Sequence, residues 1–316
     1  SLETAQYFKV ATYVTRKGSG EIIRSINVGN GPKLLKMNRD GSMICVALSR
    51  SLGSTIIDLP SYTTRNSPAN GTVAYLGLNP TQPKLYFSIN QLYTGNTSLG
   101  VFDTATNTWT SPFPGFGYAG DIAFNPSGSR VFIARLGTNV TSGYVTANNT
   151  LDRSYTGTSP ARAITTNPNG TALFTTGTVT ERFILSSGQR TQSVGNSGYA
   201  SGLAHSPSNA SRQRLYVPVS TENKVLIFDT SEDQLKVVKS LTGIMAPQNA
   251  AFHPTQPRVY VTELANNRVI VINTDTEEVE GAIDGFDQPF DIVISPDGKL
   301  AYVSNSAGTT VDVVDI

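Results

Sequence analysis

Three polar residues of the chain, Asp121, Asn249 and Asp291, stand at one recurring position, five residues before the centre of a proline turn. Carboxylates and an amide converging on one axis suit a hard cation such as Ca²⁺. The competing reading is that they line a channel and hold water. The two histidines, His205 and His253, fall two residues and one residue before Pro207 and Pro254, so both belong to the same repeating framework. Their spacing is not that of a ligand pair, and no Cys/His cluster accompanies them. Cys45 is the one cysteine. It lies in the apolar run "MICVAL" and reads as a small buried hydrophobe. A single cysteine excludes an intramolecular disulfide and a Cys-x-x-Cys-His haem attachment. "GFGYAGD" (115–121) has the glycines of a nucleotide loop, but no helix follows it, and neither a Walker loop nor a Gly-x-Ser-x-Gly elbow is present. No metal and no cofactor is expected from these residues, and no catalytic residue is assigned.

The elements that position these groups are short strands. The 316-residue chain carries 24 Lys+Arg against 23 Asp+Glu, a net charge of +1. That balance argues against a nucleic-acid-coating or membrane-surface protein. No apolar run reaches the length of a membrane-spanning helix, so no membrane insertion is expected. Only 15% of residues are charged, and Gly, Ser, Thr and Asn are abundant, as in a protein of strands and turns.

One segment recurs: "NPTQPKLYFS" (79–88), "NPSGSRVFIA" (125–134), "NPNGTALFTT" (167–176), "SPSNASRQRLYVP" (206–218), "HPTQPRVYVT" (253–262) and "SPDGKLAYVS" (295–304), with "NRDGSMICVA" (38–47) as a seventh copy that has Arg39 in place of proline. Anchored on that position the copies begin at 39, 80, 126, 168, 207, 254 and 296. A period of about 40–45 residues built of short strands predicts a seven-bladed β-propeller, an all-β fold with four antiparallel strands per blade, as a single domain over 1–316. The inner strand of each blade precedes the turn, with apolar residues two and four positions before it. Gly77, Ala123, Ala204 and Ala251 supply small residues three positions before it, where strands crowd an axis. Asp103 and Asp229, each ahead of a threonine, are expected to close Asx-turns into the fourth strand. The chain ends on an alternating run, Val311, Val313, Val314 and Ile316, whose edge needs a partner. The run "EIIRSINVGNGP" (21–32) predicts that Glu21–Val28 returns as the outer strand of the last blade and closes the ring, with a further hairpin over 7–14.

The pattern hydrophobic–Pro–Asp/Asn–Gly … Tyr-Val-Thr/Ser … Val-x-Val-Ile-Asp, clearest in "SPDGKLAYVSNSAGTTVDVVDI" and "HPTQPRVYVTELANNRVIVINT", resembles the YVTN-type propeller repeat over residues 26–316. The family includes surface-layer propellers and is similar to lactonase-like propellers and some redox enzymes. The resemblance therefore implies fold far more than activity. "FKVATYVTRKGSGEIIRSINVG" also resembles segments of bacteriophage tail and appendage proteins. The reading that follows is a non-catalytic scaffold or adhesion module of a cell-surface layer or virus particle, extracellular and part of a larger assembly. The alternative is a lactonase-like hydrolase with a site in the channel. Partner binding, to a protein or a glycan, is expected on the loop face through Phe113, Phe116, Tyr118, Phe286 and Phe290. The sequons at Asn70, Asn96, Asn139, Asn148, Asn169 and Asn209 permit glycosylation.

Overall fold

A computed structural model describes residues 20–67, 71–90, 97–113 and 118–316. The hairpin expected over 7–14 lies outside them. The described chain forms seven four-stranded antiparallel sheets, six of them in sequence order from inner to outer strand, and these are the seven blades. Blades 1 to 6 occupy residues 32–67, 72–113, 119–156, 163–195, 204–242 and 247–284. Blade 7 is built from Pro289–Ile294, Leu300–Asn305 and Thr310–Asp315, with Ile22–Asn27 as its outer strand. The closing register pairs Ile22 with Val314, Arg24 with Val313, Ile26 with Val311 and Asn27 with Thr310. The edge left by the last strand is thus covered by the first.

The core has no single centre. Seven buried clusters fill the seven interfaces between neighbouring blades. The period-2 pattern of the strands explains this, because each sheet has both faces covered and presents one apolar row to each neighbour. Leu35, Leu76, Ile122, Ile164 and Ile292, four positions before the turn centre, are all buried. The small residue after them is required by crowding: a Cβ on Gly77 would stand 2.5 Å from Cγ2 of Ile122 in the next blade. The inner strand of blade 5, expected over 201–205, is reduced to Ala204–His205. Gly202 there lies so close to Asn249 and the Gln248 carbonyl of blade 6 that no side chain would fit, and Ser201 donates its hydroxyl to Gln248 O at 2.9 Å.

The proline turns make a second ring of contacts. Gly41, Gly128, Gly170 and Gly298, all at φ between 70° and 73°, each lie against the turn of the preceding blade, at Pro296, Asn79, Pro126 and His253 respectively. Glycine meets both demands, positive φ and close approach. The turns of blades 2, 5 and 6 ("NPTQPK", "SPSNAS", "HPTQPR") have no glycine. Clefts open ahead of two of them, about 650 Å³ between blades 1 and 2 and about 350 Å³ between blades 4 and 5. At the third, the Asn209 amide bridges to Pro254 O at 3.0 Å.

Candidate functional site

The inner strands enclose a channel of about 400 Å³ lined by Lys36, Tyr75, Asp121, Arg162, Asn249 and Asp291 among others. The three polar residues singled out in the sequence do come to this channel, and each is committed to a neighbouring strand. Asp291 accepts Ile292 N–H at 2.8 Å on Oδ1 and Leu35 N–H, from blade 1, at 2.8 Å on Oδ2. Asp121 repeats the arrangement, accepting Ile122 N–H at 2.9 Å and Ile164 N–H of blade 4 at 2.8 Å. Asn249 donates Nδ2 to Phe290 O of blade 7 at 3.3 Å. All three therefore act as ties between consecutive blades. The hydroxyl that ends each "YFS", "YVT" or "YVS" run holds the backbone at the same position of its blade: Ser88, Thr262 and Ser304 accept the N–H of Tyr75, Asn249 and Asp291 at 3.0–3.1 Å. Thr262 and Ser304 also donate across to the next blade, to Phe290 O and Lys33 O.

Burial pushes the Asp291 carboxyl up to about 6, against the pull of the Lys36 ammonium, and pushes Asp121 up in the same way. Protonation below that value is favoured in the folded state. The stability from this group is fully present below its unfolded value of 3.8 and lost as pH rises through about 6. The destabilisation caused by Asp291→Asn is accordingly expected to be larger at pH 4.5 than at pH 7.5, by about 2 kcal/mol. Paired urea melts at the two pH values measure it. An equal difference at both would show that Asp291 titrates as an ordinary carboxylate.

The other candidates are framework groups. His253 is buried; its Nδ1 accepts the N–H groups of Thr255 and Gln256 at 3.2 and 2.9 Å, which leaves Nε2–H to donate to Gly298 O of blade 7 at 2.9 Å. Asn79 does the same in blade 2, accepting Thr81 and Gln82 N–H and donating to Gly128 O at 2.9 Å. "HPTQP" and "NPTQP" are thus one device in which imidazole replaces amide. His205 donates Nδ1–H to Ser206 O and accepts the Thr230 hydroxyl on Nε2, and burial lowers its pKa. Cys45 is fully buried and its thiol is pushed up to about 12. Asp103 and Asp229 close the expected Asx-turns, onto Ala105 and Thr106 N–H and onto Ser231 N–H. Among the described residues no group of three or more His, Cys, Asp or Glu side chains is placed to hold a metal ion, and no helix is long and apolar enough to cross a membrane.

The loop face separates the aromatic residues. Tyr118 is 59% exposed. Phe286 is buried in the interface of blades 6 and 7 with Val269, Val271, Ile283 and Ile316, so its expected place on the surface is corrected to packing. Phe290 is half-buried beneath the Lys33 ammonium, 5.1 Å from the ring centre. Phe113 ends the strand Thr108–Phe113, and Phe116 lies outside the described residues. Sequence reasoning missed Leu52, Tyr199 and Met245, which are exposed on loops of the same face. Arg162 sits over the Tyr199 ring at 4.9 Å.

No family model matches the chain, and no curated protein matches it. Solved structures do. A chain of Kuenenia stuttgartiensis hydrazine synthase superposes with a TM-score of 0.80 at 16% identity, over 91% of this chain and 96% of that one. A chain of the mitotic checkpoint complex superposes with a TM-score of 0.82 at 14% identity, over 96% of this chain and 94% of the other. The likeness is one of fold. It agrees with the seven blades and carries no activity at these identities.

Proposed function

We propose that this chain is a non-catalytic propeller of the YVTN-like kind, a rigid scaffold or adhesion module in an extracellular cell-surface layer or a virus particle, which docks a protein neighbour on its loop face. One observation carries the reading. The large hydrophobic residues that are exposed fall on the outer strands or on the loop face, where Leu52, Tyr118, Tyr199 and Met245 stand, and among the described residues none falls on the proline-turn face. Apolar side chains on a rigid rim give contact area at small entropy cost. The mitotic checkpoint complex, an assembly by its name, offers a propeller neighbour in such a setting. The hydrolase alternative would draw on Asp121 and Asp291, and each oxygen of both already receives a backbone N–H.

A photo-reactive side chain at position 118 or 199 is expected to crosslink a neighbouring protein in the native assembly, whereas one at Ser127 or Asp297, on the opposite face, is not. Tyr118→Ala with Tyr199→Ala is expected to weaken that contact by about 1–3 kcal/mol per anchor, with the melting temperature unchanged because both rings are exposed. Crosslinks confined to the proline-turn face would overturn the docking surface. Lactone hydrolysis that disappears in a folded Asp121→Asn/Asp291→Asn variant would overturn the non-catalytic reading.

A further inference from the structure

The cleft between blades 4 and 5 has a charge where the repeat has none. On the third strand of each blade one residue pairs with the first aromatic of the "YV" run or its equivalent. In six blades that residue is Ile56, Val101, Gly143, Ile227, Val271 or Val313. In blade 4 it is Arg182, opposite Phe174. Arg182 is 3% exposed and lines the cleft. Its Nη1 donates to Thr191 Oγ1 at 3.1 Å, its Nη2 pairs with one oxygen of Asp233, and its Nε has no hydrogen-bond partner among the described residues. Gln192, directly opposite in register, also has a buried oxygen, Oε1, without a partner.

A guanidinium taken out of water is costly unless its charge and its donors are met. Asp233 meets that need poorly. Its side chain is 83% exposed, and it stands on a turn in which Glu232 and Asp233 both take positive φ, 51° and 63°. Such a conformation costs a non-glycine residue about 1 kcal/mol or more. The Nε/Nη2 edge of an arginine is the edge that binds a planar two-oxygen anion through parallel hydrogen bonds. Here a single Asp233 oxygen occupies half of it.

We infer that this cleft is a binding site for a small organic monocarboxylate, whose two oxygens take the Nε and Nη2 of Arg182 while Asp233 swings out to solvent. The volume suits a compact ligand. Gln213, Ser208 and Thr230 on the walls offer polar contacts to its body. His205 is held neutral between Ser206 O and the Thr230 hydroxyl and adds no second cation, and Glu232 stands beside Asp233 at the cleft. A single cation with two carboxylates nearby disfavours a multiply charged anion such as a phosphate ester. The inference is independent of the docking surface, which lies on the opposite face.

The test uses the full chain, with acetate and lactate as probes, inorganic phosphate as the competing anion and sodium chloride at matched ionic strength as the control. Calorimetric titration and thermal melts are expected to show carboxylate binding to the wild type and about tenfold tighter binding to Asp233→Asn, because the internal competitor is gone. Arg182→Val, which restores the residue type of the other blades, is expected to fold and to lose the response. If the pair serves only to join blades 4 and 5, Asp233→Asn will melt earlier and no carboxylate will restore it beyond the chloride control; that result overturns the site. Binding of phosphate in preference to both carboxylates overturns the ligand class. Retention of the carboxylate response by Arg182→Val overturns the role of Arg182.

Discussion

Removal of residues 1–28 is expected to abolish the folded monomer. The segment supplies Ile22–Asn27, which among the described residues is the neighbour of the strand Thr310–Asp315 on its outer side. Val28 continues the pairing through its N–H to Thr309 O at 2.9 Å, and its carbonyl accepts the buried Thr55 hydroxyl. Ile26 and Val28 are buried in the cluster that joins blades 7 and 1, beside Leu35, Ile44, Val311 and Val313. Burial of such side chains stabilises by about 1.5–3 kcal/mol each, and their loss uncovers the valines against which they pack. The deletion also leaves a row of ladder N–H and C=O groups open next to an apolar face, a template for edge-to-edge association. Against a total stability of about 5–15 kcal/mol for a domain, these losses are large enough to unfold it. A truncation that begins at Gly20 is the control, since it retains the outer strand and the Gly20 N–H bond to Asp315 O. Size-exclusion chromatography and a thermal melt decide the outcome. A soluble monomer lacking 1–28 with the melting curve of the control would show that the closing strand is dispensable.

That strand was legible because pairing needs are written in the repeat. A period near 42 residues anchored on proline sets the number of blades, and a last copy that lacks its fourth strand asks for one from elsewhere. The site was less legible. Alternation tells which residues share a face of a strand, and Asp121, Asn249 and Asp291 stand on the channel side of their strands. Their partners are main-chain groups of the next blade, such as Leu35 N and Ile164 N, and a backbone N–H has no sequence signature. Phe286 and Tyr118 follow similar glycine-containing loops, yet one is buried and the other exposed, because only Phe286 meets the apolar row formed by Val269, Val271 and Ile283. Two features did leave a mark that can be read. The glycine missing from "NPTQPK", "SPSNAS" and "HPTQPR" marks the turns that do not close on the preceding blade through glycine, two of which leave a cleft and one of which is bridged by Asn209, and "VTERFI" carries Glu181-Arg182 in the middle of a strand that elsewhere reads "VLIFD" or "VIVIN".

Replacement of Asp291 by alanine is expected to lower stability by about 2–4 kcal/mol at pH 7.5, with asparagine in between. The carboxylate accepts two backbone donors, Ile292 N–H on its own strand and Leu35 N–H across the interface to blade 1. Alanine leaves both buried donors unpaired, at about 1–3 kcal/mol each. Asparagine keeps one acceptor oxygen and turns an NH₂ group toward the other donor, so one bond is lost and a repulsive contact is made. Part of this loss is offset, since burial disfavours the ionised form that is removed. That offset is greatest above pH 6 and vanishes in acid, so the penalty should grow as the pH falls. Asp121→Ala is expected to behave alike, because Asp121 makes the same two bonds between blades 3 and 4. The two sites lie in different interfaces and share no hydrogen-bond partner, but both carboxyls feel the Lys36 ammonium and the Asp121 charge raises the pKa of Asp291, so their effects should depart from additivity. Hydrogen exchange gives the local readout: Leu35 and Ile164 amides should lose protection in Asp291→Ala and Asp121→Ala respectively. Slow exchange retained at Leu35 in a folded Asp291→Ala variant would show that another acceptor takes over, and the carboxylate would then be a solvated channel group and not a tie between blades.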